Sequence, residues 1–125
     1  MSRRTPPVFL NLLQIRMPVT AIASILHRLS GILLFLSLPF LILALQQSLQ
    51  SPEGFARLMG QLDALPIKAL LVILLWGLFQ HLFAGLRFLL LDVEVGIKRQ
   101  QACYSAWLVN ILAVIATIIL VGGCL

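Results

Sequence analysis

Charged residues are scarce in this chain of 125 residues. They make up 10% of it, while hydrophobic residues make up 61% and the mean hydropathy is +1.07. A water-soluble domain of this length needs a charged surface that so few ionisable side chains cannot supply. The composition therefore excludes a soluble globular protein and indicates an integral membrane protein.

Cysteine and histidine are also rare, with two of each. Cys103 and Cys124 lie about 30 Å apart if one helix joins them, which is too far for a disulfide. No C-x-x-C-H motif occurs, so covalent attachment of a c-type haem is excluded. The basic residues are scattered along the chain and form no cluster, which argues against a nucleic-acid partner.

Three apolar stretches are each long enough to cross a hydrocarbon core of about 30 Å as a helix. They cover residues 20–46, 66–91 and 103–123. Unbroken apolar runs are unlike the many short alternating strands of a membrane β-barrel. The predicted fold is therefore an all-α integral membrane protein with three transmembrane helices. We expect one membrane-anchor domain, residues 1–125, within a multi-subunit helix bundle.

Lysine and arginine near the ends of the spans predict the orientation in the membrane. Five such residues flank the spans: Arg3, Arg4 and Arg16 before the first, and Lys98 and Arg99 in the second loop. Cytoplasmic loops carry the excess of lysine and arginine in membrane proteins. We therefore expect the N-terminal segment, residues 1–19, and the second loop inside, with the first loop and the C-terminus outside.

Polar residues inside the first span share one helical face. Four residues of "SILHRLSG" follow the spacing i, i+3, i+4 and i+7, namely Ser24, His27, Arg28 and Gly31. An arginine at membrane depth costs about 2.5–3.5 kcal/mol on insertion scales, so such residues usually face protein, water or a ligand. The alternative is that Arg28 reaches the lipid headgroups and His27 hydrogen-bonds within a helix bundle.

The second span places a histidine between small residues near the middle of the bilayer. Gly77 lies one turn before His81, and Ala84 and Gly85 lie one turn after it. Imidazole is a standard axial ligand of b-type haem, and small residues facing the haem would let the flat porphyrin approach His81. The alternative is that this spacing only packs helices together, with His81 hydrogen-bonded across the interface.

Haems that only carry electrons usually have two axial ligands from protein, and His81 supplies one. His27 could supply the second, but it belongs to the polar face near the inner surface. A ligand from another subunit is therefore favoured, and the residues predict a haem-holding membrane anchor that works within a complex.

The inner end of the second span carries two more ionisable residues. Arg87, six residues after His81, points about 120° away from it on a helix. We expect Arg87 to reach the inner headgroups or a neighbouring subunit. Asp92 marks the boundary with water.

Two motifs resemble the signatures of a known family. "SILHRLSG" follows the pattern Ser-x-x-His-Arg-x-Ser, and "HLFAGLRFLLLD" follows His-x-x-x-Gly-x-Arg-(His or Phe) and ends in Asp. Both are similar to signatures of the cytochrome b anchor subunit of succinate dehydrogenase, respiratory complex II. "NLLQIRMP" resembles that family's approach to its first helix, so the resemblance covers nearly the whole chain. Phe88 and Leu91 depart from the usual residues of the second signature without affecting His81.

The resemblance implies a role for each matching residue. His81 is the expected axial ligand of one haem b, whose other histidine comes from a second anchor subunit. Ser24 and Arg28 are expected to line the ubiquinone site, and His27 and Arg28 to lie near the haem propionates. Asp92 is expected near a proton route to the quinone.

The implied function is that of a membrane anchor in a succinate:quinone oxidoreductase, where the chain is a non-flavin subunit of the enzyme. It would dock the iron–sulfur and flavoprotein subunits at the inner face of a bacterial inner membrane. Electrons from succinate would pass through the iron–sulfur clusters to ubiquinone. Two alternatives stay open: the anchor of a fumarate reductase running in reverse, and a structural or assembly subunit without haem.

Overall fold

The computed structural model describes residues 17–124 of the chain. Four helices follow one another: α1 (Val19–Gln50), α2 (Pro52–Leu62), α3 (Leu65–Asp92) and α4 (Arg99–Cys124). No strand occurs within residues 17–124, in agreement with the predicted all-α class. Arg3, Arg4 and Arg16, which contribute to the predicted orientation, lie outside the described residues.

Three of these helices, α1, α3 and α4, are long and apolar enough to cross a membrane, so the three predicted spans are confirmed. The helices extend past the predicted spans at two polar ends. α1 continues beyond residue 46 to Gln50, and α4 begins ahead of residue 103 at Arg99. Composition locates the hydrocarbon core, whereas backbone hydrogen bonding can continue the helix into the polar interface.

Prolines and one serine determine where the helices begin. Pro18 directly precedes α1, while Pro52 and Pro66 lie in the first turns of α2 and α3. A proline there removes an amide that has no partner within the helix. The Ser51 hydroxyl accepts a hydrogen bond from the Gly54 amide at 3.0 Å and so caps α2.

The first loop contains the short helix α2 and the charged residues around it. Hydrogen bonds from the backbone amide of Glu53 and from the Ser51 hydroxyl hold the pKa of the Glu53 carboxyl below its ordinary value. In the first turn of α3, the Lys68 ammonium lies 3.1 Å from an Asp63 carboxylate oxygen. This exposed ion pair links the two ends of the α2–α3 connection but contributes little stability.

The helix α3 packs against both α1 and α4, and most side chains buried in the bundle are small. The buried side chains are mostly alanines and short polar groups: Ala23, Ala84, Ala106, Val109, Ala113, Ser30, Ser37, Gln80, Arg87 and Thr117. Large apolar side chains point outward, and Phe40 is 72% exposed. Lipid tails are as apolar as leucine, so membrane helices associate through close packing and interhelical hydrogen bonds. The outer surface thus suits lipid or other membrane helices.

Candidate functional site

The antiparallel packing of α1 and α3 brings the two histidines of the chain together. The imidazole rings of His27 and His81 are stacked, with centroids 4.2 Å apart and planes 9° from parallel. The Phe88 ring meets His27 edge-on at a centroid distance of 5.2 Å. The polar face of the first span and the histidine of the second therefore form one site.

Each histidine lies over a glycine of the opposite helix. A Cβ atom on Gly31 of α1 would lie 2.9 Å from Cε1 of His81, and one on Gly85 of α3 would lie 3.4 Å from Nε2 of His27. The first distance is too short for any real Cβ contact, whereas the second is ordinary van der Waals contact. Gly31 thus provides room that the His81 ring needs, and Gly85 provides the smaller clearance for His27.

A backbone carbonyl and a serine hydroxyl lie beside one ring nitrogen of His81. Its Nδ1 atom lies 3.1 Å from the His27 carbonyl oxygen and 3.5 Å from Oγ of Ser30. The Ser30 hydroxyl donates its own proton to the same carbonyl at 2.9 Å. Because a carbonyl oxygen only accepts, the hydrogen bond assigns the proton of neutral His81 to Nδ1. Nε2 then keeps its lone pair for another partner.

A groove of about 520 Å³ lies beside the two imidazoles. Its lining consists of His27, Arg28, Gly31, Ile32, Phe35 and His81. Phe35 is 71% exposed and Ile32 56%, so the groove opens sideways from the bundle. A ligand in this groove would be covered on one side by α1 and α3 and on the other by lipid or another chain.

The other predicted site residues are not among those that line this groove in the described part of the chain. Ser24 is half-buried on the same face of α1, one turn before His27, and Asp92 is exposed as the last residue of α3. Ala84 is completely buried. A Cβ atom on Gly77 would lie 3.1 Å from Leu33 of α1. The chain's own helices thus surround Gly77 and Ala84, and their role facing a haem stays a prediction.

Arg87 differs from its predicted placement. Its side chain is buried against α4, with Nε donating to the Ser105 hydroxyl at 2.9 Å and Nη2 donating to the Ala102 carbonyl at 3.0 Å. The expectation that Arg87 reaches headgroups or a neighbouring subunit is therefore wrong. The helical angle away from His81 is correct, but α4 occupies that direction and supplies the acceptors.

Sequence reasoning missed two features of the site. Ser30 was given no role, although it is the second serine of the pattern Ser-x-x-His-Arg-x-Ser. The spacing His-x-x-x-Gly also occurs in both helices, as His27–Gly31 and His81–Gly85. In two antiparallel helices that cross at this point, such a repeat could have predicted that each imidazole covers the other helix's glycine.

Comparison with known proteins agrees with the fold of three apolar spans. The fold defines the class as a helical multi-pass membrane protein. The model of the succinate dehydrogenase/fumarate reductase transmembrane subunit family matches residues 2–120. The chain belongs to this family. It is thus a multi-pass membrane protein and an anchor subunit of an enzyme complex.

Two curated relatives carry the same name, succinate dehydrogenase cytochrome b556 subunit. The protein from Coxiella burnetii is 37% identical over 114 residues, which cover 90% of this chain and 91% of the relative. The protein from Paracoccus denitrificans is 30% identical over 105 residues, covering 84% of this chain and 81% of the relative. The resemblance to the cytochrome b anchor of complex II is confirmed.

The two glycines beneath the histidines predict a graded response to an added methyl group. Gly31→Ala should lower the free energy of unfolding by about 1–3 kcal/mol, because the His81 ring must move. Gly85→Ala should cost less, because its methyl group fits beside His27. The measurement is unfolding of the purified chain in detergent micelles, followed by circular dichroism.

Gly122→Ala is the matched control, because no atom of the described residues lies within 4 Å of a Cβ atom at that position in α4. It should be neutral or stabilise the helix by about 0.5–1 kcal/mol. Equal effects of the Gly31 and Gly122 substitutions would contradict the close approach of His81 to α1.

Proposed function

We propose that this chain holds one haem b together with a second anchor subunit and forms part of the ubiquinone-reduction site of a succinate dehydrogenase. The observation that carries the proposal is the position of His81. Its Nδ1–H bonds to a backbone carbonyl, its Nε2 keeps a lone pair, and it lines a groove that opens sideways. Metal-binding histidines commonly donate their other ring N–H to a carbonyl in this way.

The groove has the donor set that a haem requires. Nε2 of His81 would bind the iron, while the guanidinium of Arg28 and the imidazole of His27 would hydrogen-bond the propionates. Guanidinium–carboxylate pairs are among the stronger hydrogen bonds in proteins. Arg28 is exposed on the groove side of α1, where a propionate could reach it. The haem, when bound, supplies one-electron storage beside the quinone.

A second histidine that holds the haem would come from the other anchor subunit. The lone pair of an imidazole lies in the plane of its ring, and the rings of His27 and His81 are parallel and stacked. Because the two rings lie in nearly parallel planes with centroids 4.2 Å apart, their ring nitrogens cannot point at each other, so His27 and His81 would not hold one haem between them. The open side of the groove leaves space for a histidine from another chain.

Quinone binding is assigned to Ser24 and Arg28, one turn apart on α1. The Ser24 hydroxyl would donate a hydrogen bond to one quinone oxygen, and the positive charge of Arg28 would stabilise negative charge that develops there. Such donors accelerate a reaction when they bind the charged form more strongly than the ground state. Reduction to the quinol consumes two electrons from succinate and two protons, and Asp92 at the end of α3 would lie on the proton route.

The remaining assignments follow from the family and from the charges. A single anchor domain, residues 1–125, would dock the iron–sulfur and flavoprotein subunits on the cytoplasmic face of a bacterial inner membrane. Lys98 and Arg99 support placing the α3–α4 loop on that face, with the N-terminus inside and the C-terminus outside. The names of the relatives support succinate oxidation over fumarate reduction, and a cytochrome over a subunit without haem.

The haem assignment predicts the optical spectrum of the purified complex. The wild type should show a b-type α-band in the dithionite-reduced minus oxidised difference spectrum, and His81→Leu should lose it because the iron loses its ligand from this chain. His27→Gln should keep a haem band, because the His27 side chain would meet the haem at the propionates and would not bind the iron.

A wild-type complex without a haem band would contradict the proposal and leave the stacked histidines a packing role alone. An unchanged band in His81→Leu would refute the assignment of the iron ligand.

The quinone assignment predicts a separate loss. Ser24→Ala should lower succinate-dependent ubiquinone reduction by about tenfold or more, because one donor to the quinone oxygen is removed. Its haem spectrum, and succinate oxidation with an artificial acceptor that bypasses the quinone site, should stay at the wild-type level.

Ser48→Ala is the control on the same helix, since that hydroxyl only bonds the Leu45 carbonyl at 2.7 Å. Loss of haem in Ser24→Ala, or full ubiquinone reduction by it, would count against the division between the haem and quinone sites.

A further inference from the structure

Consecutive residues of α3 bond to opposite neighbours in the bundle. His81 and Phe88 both contact His27 of α1. Gln80 and Arg87, which directly precede them, hydrogen-bond to α4. Residues seven apart lie nearly one above the other on a helix, about two turns away. The same two-sided arrangement therefore occurs twice along α3.

The upper contact joins Gln80 to Asn110. The Gln80 amide nitrogen donates to Oδ1 of Asn110 at 2.8 Å, and the Gln80 side chain is completely buried. Its Oε1 atom has no hydrogen-bond partner within residues 17–124. A buried acceptor without a partner is costly, and a leucine would fill the position without that cost. The hydrogen bond to Asn110 of α4 is thus the reason for a glutamine at position 80.

The lower contact joins Arg87 to two acceptors of α4. Arg87 donates to the Ser105 hydroxyl and to the Ala102 carbonyl. The Ser105 hydroxyl in turn donates to the Ala102 carbonyl at 3.1 Å, which closes a small network. The guanidinium carbon also lies 5.3 Å from the centre of the Phe88 ring. Phe88 in turn packs edge-on against His27. Arg87 is therefore connected to the histidine pair through the neighbouring ring.

Both contacts constrain the same degree of freedom. Gln80 and His81 are consecutive residues, about 100° apart around the axis of α3. Because the helix turns as one body, a rotation of α3 about its axis moves both side chains together. Two bonded levels, two turns apart, resist that rotation more than a single bond could. The face of α3 that carries His81 then stays directed at α1 and the groove.

We propose that Gln80 and Arg87 are positioning residues, which hold α3 by its α4 face so that His81 and Phe88 meet His27 at the groove. This inference rests on the proposed function, since the group that His81 is positioned for is the haem. Arg87 acts through its forked bonds to α4, and its charge has no role toward the quinone. With 5% of its surface exposed, it is directed away from the groove.

Haem retention by the purified complex tests the proposal, measured as the rate of haem transfer to excess apomyoglobin. Arg87→Lys keeps the charge but not the two-point fork, and Ser105→Ala removes an acceptor far from the groove. Both should release haem about tenfold faster, the scale expected when a supporting hydrogen bond of a metal ligand is lost. The position of the α-band should shift in the same variants. Ser105→Thr, which keeps the hydroxyl, should show the release rate and the α-band position of the wild type.

The upper contact is tested by the double variant Gln80→Leu with Asn110→Leu. It removes both polar groups, so no unpaired amide is left to prevent folding, and faster haem release is still expected. Thr117→Val is the control, because that buried hydroxyl on α4 donates to the Ala113 carbonyl of its own helix at 2.7 Å and to no other helix in the described part of the chain. It should release haem at the wild-type rate.

The outcomes distinguish failure of the proposed function from failure of the positioning role alone. A wild-type complex without haem would overturn the proposed function and this inference with it. A wild-type complex with haem, whose Arg87→Lys and Ser105→Ala variants release it no faster, would overturn this inference alone. Haem release that rises equally in Thr117→Val would also overturn it, since loosening of α4 in general would then explain the effect.

Discussion

The stacked imidazoles of His27 and His81 hold α1 against α3, and the surrounding residues accommodate them. In a membrane the exclusion of water does not drive helices together, so close packing and polar contacts must do so. Glycine at positions 31 and 85 lets the two rings lie between the backbones. The hydrogen bond from His81 to the His27 carbonyl then fixes the ring that faces the groove.

The polar residues of the bundle divide between two interfaces with different roles. Those between α3 and α4 are buried and bonded within the chain, as with Gln80 and Arg87. Those between α1 and α3 border a groove that opens sideways, where Arg28 stays exposed. A charged group is costly in hydrocarbon, so each placement needs a partner. α4 provides the partner for Arg87, while a ligand and a second subunit would provide it for Arg28.

The sequence was sufficient for the class and the spans, because composition and run length decide whether a helix can cross a bilayer. Proline is also visible in the sequence at two helix starts, Pro18 directly before α1 and Pro66 in the first turn of α3, where its missing amide costs no helical hydrogen bond. The partner of Arg87 could not be predicted, because a helical angle gives a direction and not the helix that lies there. The stacking of the two histidines likewise depends on the crossing point of α1 and α3, which local spacing leaves undetermined.

The central claim is that the fold itself prepares His81 as a ligand, with the proton on Nδ1 and a lone pair on Nε2. The most direct measurement is the ¹⁵N chemical shifts of the histidine rings in the haem-free chain in lipid bilayers. Two histidines give a simple spectrum, and His27→Gln assigns them. The account predicts a protonated Nδ1 and an unprotonated Nε2 for His81. A proton on Nε2 instead would contradict it.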